Sequence, residues 1–381
     1  MPVLAVLSGL GAVAGPEQAA AAGACTTNKS ITVTPDTALN DLFQRYGDAG
    51  RGHTWTGGDG TESVALPDGR ELWLFDDTFL GSVKNGRRAL DLSPYLHDSL
   101  VVEDHGVLTK TFYLPRAGRP PVAYVNPVPS RPFVFAFWPG PAVVNGDTLQ
   151  VLGGEEKFRN DATFTYLGTA LATFALPSLK PLALQLVPNP TVDWVHGRLG
   201  VLSLLPRPSP LIDWAGGVLQ DGGYTYIYGK TSQDIYVARV RGIRLSSAWS
   251  YFDGRGWDSD PATVAPIAHV GTMLHFSVSS VAGAYLLVAS PATSVNTIVG
   301  AFSCSPIGPF DATRTIYTTP ESGQYPLDDG VITYGAHVHP ELSPSPTALV
   351  VSYDVNPKAA QGISSPDASI YRPRFIVLHV G

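Results

Sequence analysis

Three aspartates open the chemical reading of this chain. Asp59 sits in the glycine cluster TGGDG, and Asp76 and Asp77 follow the apolar run ELWLF at 71–75. Between them lies PDGR (67–70), whose Asp68-Gly69 pair is a tight-turn signal. A hairpin centred between those two residues sets Asp59 opposite Thr78 and Asp77 opposite Gly60. The two aspartates then become near neighbours on adjacent strands. Strands lie about 4.7–4.9 Å apart and diagonal neighbours roughly 7–8 Å. Two carboxyl groups in that range suit glycoside hydrolysis. One gives a proton to the leaving oxygen; the other activates water or attacks the anomeric carbon. Separations of about 5–5.5 Å go with retention and about 6.5–9.5 Å with inversion. Burial and mutual repulsion push the two pKa values apart, which keeps one carboxyl protonated. The competing reading is turn chemistry, with Asp59 capping a turn and Asp76 or Asp77 bonding backbone amides.

The elements that must position this pair are short β runs. Besides ELWLF they include SLVV (99–102), VLTKTFYL (107–114), FVFAFW (133–138), YTYIYG (224–229), MLHFSV (273–278), TALVVSY (347–353) and RFIVLHV (374–380), separated by Gly, Pro and Asp. One helix is expected, over Thr37–Tyr46, with Asp36 as its cap. A loose motif recurs five times at intervals of about 55 to 80 residues: a lead-in, a turn, then a strand pair. Five such units stacked radially predict an all-β, five-bladed β-propeller, with a β-sandwich as the alternative. In a propeller, residues just before each hairpin converge on a central channel. Here these are Trp55 and Asp59, Trp138, Asp213 and Trp214, His275, and His337 and His339. Aromatic faces beside polar groups suit a sugar, although any one Trp is more often core.

Other candidates divide. Glu155-Glu156 reads as a solvated loop pair. His337 and His339 share a strand face and could bind a hydroxyl or a structural ion in the channel, calcium being the ion considered. Tyr224, Tyr226 and Tyr228 share a face by sheet packing. No HExxH, phosphate loop or nucleophile elbow occurs, and no organic cofactor is implied.

Composition bounds the partners. A formal net charge of −7 argues against nucleic acid, and charged residues make up only 15% of the chain. The start, VLAVLSGLGAVAG followed by AAAAGA, fits a signal peptide over 1–24 with cleavage after Ala22-Gly23-Ala24, leaving one domain over 25–381. That predicts secretion. No later segment has the length of a membrane span. Of the two cysteines, Cys25 could carry a lipid anchor or bridge to Cys304. A monomer is expected.

The stretch WTGGDGTESVALPDGRELWLFDDTFLG resembles the opening blade of secreted actinobacterial five-bladed propellers grouped as domains of unknown function 5005 and 4185. The second group includes endo-acting D-arabinan hydrolases. More broadly the chain is similar to the furanosidase and fructosidase propeller clan. DWAGGVLQDGGYTYIYG, WSYFDGRGW, SPIGPF and HPELSPSPTALVVSY match as well, from about residue 40 to the end. The resemblance implies a hydrolase of a furanose-rich, arabinan-like polysaccharide acting with inversion, Asp77 as general acid and Asp59 as general base. In that clan Glu155-Glu156 would stand among further site residues. It also marks departures. Asp76 replaces a small residue, Asp98 stands where Asn is expected and would contact substrate, and Pro141 replaces an acidic or polar residue. A non-catalytic carbohydrate-binding propeller is the alternative.

Overall fold

The computed structural model describes residues 25–89, 93–125, 134–159, 163–187, 211–292, 296–323, 330–357 and 367–381. The expected leader lies outside them. The described residues are all-β, as the alternation of short apolar runs and turn residues predicts, with one α-helix, Thr37–Asp48, where a helix over Thr37–Tyr46 is expected. Among the described residues, five antiparallel sheets have four or more strands. In chain order their first strands are Glu62–Ala65, Val134–Asn145, Asp213–Asp221, Met273–Val281 and Val331–His339. Each of these first strands touches the next, and the fifth returns to touch the first. The last sheet is closed by the two ends of the chain: Ile31–Pro35 pairs antiparallel with Arg374–Val380. Apolar clusters fill the spaces between neighbouring sheets, such as Leu72, Leu74, Leu100, Phe137, Val151 and Phe174 between the first two.

The helix braces the site. Asp36 caps it by accepting from the Leu39 amide at 3.0 Å. Its buried Phe43 packs edge-on against Trp55 and Trp73 and stacks on Phe375. Burying an aromatic of this size stabilises by about 2 kcal/mol. Two buried arginines fix the adjoining strand Thr54–Gly58, Arg88 and Arg372 both donating to the Thr56 carbonyl, at 2.8 and 2.9 Å. That strand delivers Asp59.

The cysteines form a disulfide, Cys25–Cys304. It occupies the Cys25 sulfur, so the lipid anchor considered for that residue is corrected: no thiol is left to carry it. No helix among the described residues is long and apolar enough to cross a membrane.

The first hairpin corrects the expected register. Leu66 donates to the Arg70 carbonyl at 2.8 Å, and Gly69 adopts φ +87°. The loop is therefore Pro67-Asp68-Gly69, three residues long, rather than a two-residue Asp68-Gly69 turn. Glu62 pairs with Leu74 and Gly58 with Thr78. One extra loop residue slides the paired strands by one, and between the two ladders Asp59 comes opposite both Asp76 and Asp77, bonded to the backbone of each.

Candidate functional site

The ladder at this point is closed by the aspartates' own backbone. The Asp59 amide donates to the Asp77 carbonyl at 3.2 Å, and the Asp76 amide to the Asp59 carbonyl at 2.8 Å. Gly60 must be glycine: its φ is +61°, and a Cβ there would lie 2.1 Å from the Asp76 carboxylate. Asp354, from the fifth sheet, fixes the turn by accepting from the Gly60 amide and the Thr61 hydroxyl, both at 3.0 Å.

The Asp59 and Asp77 carboxyls have different surroundings. Three donors converge on Asp77: the Tyr95 hydroxyl at 2.5 Å, the Trp138 indole N–H at 3.2 Å and His97 Nδ1 at 2.8 Å. An acceptor-only carboxylate fits that pattern. Asp59 accepts from the Tyr334 hydroxyl at 2.5 Å, while its Oδ1 has no partner. Burial first, and the Asp77 charge second, push Asp59 up to about 7, against the lowering effect of the Tyr334 and Tyr371 hydroxyls.

Beside this pair is a polar cavity. Its walls come from the first hairpin (Gly60, Thr61, Glu62, Asp76), the second sheet (Trp138, Glu156), Asp213, His275 and His337. Each of the five sheets thus contributes a side chain from its inner part. Asp76 is 6% exposed, its Oδ1 is unpartnered, and His275 Nε2 is 3.9 Å from its Oδ2. Burial, then Asp59, Asp77, Asp354 and Glu62, raise Asp76 well above the carboxylate range. Glu156 is equally buried, with Oε2 unpartnered, and is pushed up to about 8 by burial and then Asp213, with Lys230 opposing. Burial and nearby Lys230 lower His275 to about 3, so its ring is neutral. Glu62 pairs with His337 at 2.7 Å; burial still raises its pKa on balance.

Of the residues expected from sequence, Asp59 and Asp77 meet across one ladder, and Trp138, Asp213, His275 and His337 reach the cavity. Four expectations are corrected. Trp55 and Trp214 are fully buried in apolar clusters, because each packs against neighbouring aromatics rather than opening to solvent. Asp98 is fully buried and accepts from the Val125 amide at 2.9 Å, which ties down a chain crossing instead of meeting a ligand. His339 is buried behind His337, bonded to Ser63 and Ser352. Glu156 reverses the other way: it lies in the strand Thr148–Arg159, where sequence suggested a solvated loop. Pro141 falls where the ladder shifts register between Pro139 and Ala142, a place that tolerates its missing N–H. Among the described residues no group of three or more His, Cys, Asp or Glu suited to a metal ion occurs. Sequence reasoning missed Tyr95, His97, Tyr334 and Tyr371. The first two alternate in YLH, just before the strand at 99; nothing marks the other two.

An all-β protein whose inner strands gather carboxyl and imidazole groups around one polar cavity is the class these observations define. A family model described as "Domain of unknown function (DUF5005)" matches residues 36–379, and the chain belongs to that family. Among solved structures, a supposed hydrolase from Bacteroides ovatus ATCC 8483 is similar at TM-score 0.70 and 20% identity, over 91% of this chain and 90% of that one. The likeness is one of fold. An exo-β-1,3-galactanase from Phanerochaete chrysosporium aligns at TM-score 0.45 and 13% identity, over 84% of this chain and 60% of that one. The α-L-arabinofuranosidase PaAbf62A from Podospora anserina aligns at 0.46 and 11%, over 88% and 93%. No curated protein matches the chain.

Proposed function

We propose that this protein is a secreted glycoside hydrolase, one domain over residues 25–381 behind a cleaved leader, whose five sheets are the blades of a five-bladed propeller. The ring of contacts among the first strands and the pairing of the two chain ends support that architecture. The disulfide suits an oxidising compartment. The substrate class is a furanose-rich, arabinan-like polysaccharide, on the strength of the resemblance in the first hairpin, and inversion rests on the same ground.

One observation carries the chemistry: two neighbouring carboxyls, close enough for the charge of one to raise the other, in unlike environments. Asp59, raised to about 7 and with a free Oδ1, is the general acid. Asp77, held by three donors, is the general base, with one of its roughly four acceptor sites left for the attacking water. These roles reverse the assignment drawn from the resemblance. Tyr334 and Tyr95 hold the two carboxyls in place. Trp138, Asp213, His275 and His337 face the sugar.

A second reading has its own support. Asp76 Oδ1, Glu156 Oε2 and His275 Nδ1 are all buried and unpartnered around the cavity, as they would be in a protein that binds hydroxyls without turnover. Product release from a panel of arabinans and other polysaccharides, by wild type, Asp59→Asn and Asp77→Asn, separates the two. Turnover by wild type, lost in both variants, is expected. Binding without products in all three would establish the second reading, and equal activity in all three would remove both aspartates from the mechanism.

A further inference from the structure

The second sheet is taller than the others. Its first three strands, Val134–Asn145, Thr148–Arg159 and Thr163–Ala175, run 12, 12 and 13 residues, while among the described residues no strand of the other sheets exceeds 10. The extra length lies beyond the two register shifts, at Pro139/Ala142 and Glu155/Glu156. There Trp138 pairs with Gly154, Glu156 with Tyr166, and Phe158 with Phe164. Period-two alternation puts Trp138, Glu156, Phe158 and Phe164 on one face. Gly154 contributes no side chain, and the Tyr166 ring and the Glu156 carboxyl border the space above it, at 3.6 Å from where a Cβ would stand.

That face continues from the candidate site to solvent. His97, bonded to Asp77, stacks on Phe158 with ring centres 4.4 Å apart. Trp138, whose N–H reaches the same carboxylate, meets Phe158 at 5.9 Å and Phe164 at 4.8 Å. Phe164 is 54% exposed and is the one ring among the exposed large apolar side chains of the described residues. A single exposed apolar residue is ordinary. Here the exposed ring ends a continuous series of rings that begins at Asp77, and Glu156, on the same face, lines the cavity and has one buried, unpartnered oxygen.

We propose that this face is a second sugar subsite, which takes the unit adjoining the one at Asp59 and Asp77. The C–H face of that sugar stacks on Phe164 and Trp138, and a hydroxyl bonds the Glu156 carboxyl where it lines the cavity. The ligand is therefore an oligosaccharide of at least two units. This rests on the carbohydrate reading above and adds where the second unit sits.

The test is calorimetric titration of the full chain with arabino-, galacto- and xylo-oligosaccharides of one to five units, with products assayed in parallel. Wild type, Phe164→Ala and Phe164→Trp are compared; the position is exposed, so both variants should fold. In at least one series, affinity rises about tenfold when the second unit is added, the size of one good ring contact. Phe164→Ala loses that rise and Phe164→Trp keeps it. The proposal is overturned if no series shows the rise, or if it survives in Phe164→Ala. Products without the rise would leave the hydrolase reading standing and sink this one; the rise without products would do the reverse.

Discussion

Asp76 and Asp77 are consecutive in the chain and enter opposite environments. Asp77 lies beside the cavity rather than in its lining and gathers a phenol, an indole N–H and an imidazole. Asp76 turns into the cavity and gathers no hydrogen bond on Oδ1, with four other carboxyls among the causes of its raised pKa. Both are largely hidden from solvent, so burial alone does not set a carboxyl's role. The number of donors aimed at it does. The same contrast recurs between Asp59, with Tyr334 on Oδ2 and no partner on Oδ1, and Asp77.

Breaking the division between the donor-held pair and the cavity carboxyl should have the largest effect at the pair, Asp59 and Asp77. Asp77→Asn and Asp59→Asn should each lower kcat/KM by about 10³-fold, within the range for removing one acid or base, whereas Asp76→Asn should cost less than about tenfold. Equal losses in all three would mean that the cavity carboxyl takes part in the proton transfers. A smaller effect should follow from thinning the donors on Asp77. Tyr95→Phe keeps the ring and removes one of three bonds; about tenfold in kcat, with KM little changed, is expected of a positioning residue.

A subtler probe is the pH profile. With Asp59 as the acid, activity falls as pH rises through about 7, because the proton to be donated is lost. The Tyr334 hydroxyl donates to the Asp59 anion and holds that value down. Tyr334→Phe should therefore move the alkaline fall to higher pH. A profile that stays in place would take Asp59 out of the acid role.

Much of this was legible beforehand, and the gaps have physical causes. Strand existence followed from apolar alternation, and four of the channel candidates reach the cavity because inner-strand positions recur with the repeat. The hairpin register failed by one residue: Asp68-Gly69 reads as a two-residue turn, but Pro67 joins it to make three. Trp55 and Trp214 failed because a Trp that faces a neighbouring sheet reads, in one dimension, like a Trp that faces a channel. Tyr334 and Tyr371 could not be found at all, since they reach Asp59 only once the last sheet closes beside the first.

The smallest expected effect lies in stability, and it tests the cavity side of the comparison. Asp76 has an ordinary carboxyl value near 3.8 when unfolded and a much higher one when folded. Between those values the folded chain binds the extra proton, so wild-type stability falls as pH rises through that window; below it the group is protonated in both states and contributes nothing. Asparagine cannot ionise and removes that slope. Asp76→Asn should thus match wild type in Tm near pH 4 and exceed it near pH 8, by about 2 °C for each pH unit of that window passed, since a pH unit is worth about 1.4 kcal/mol and each kcal/mol only one or a few degrees in a chain of this size. A Tm difference that is the same at both pH values would show that Asp76 has found a donor after all, and the contrast with Asp77 would then rest on Asp59 alone.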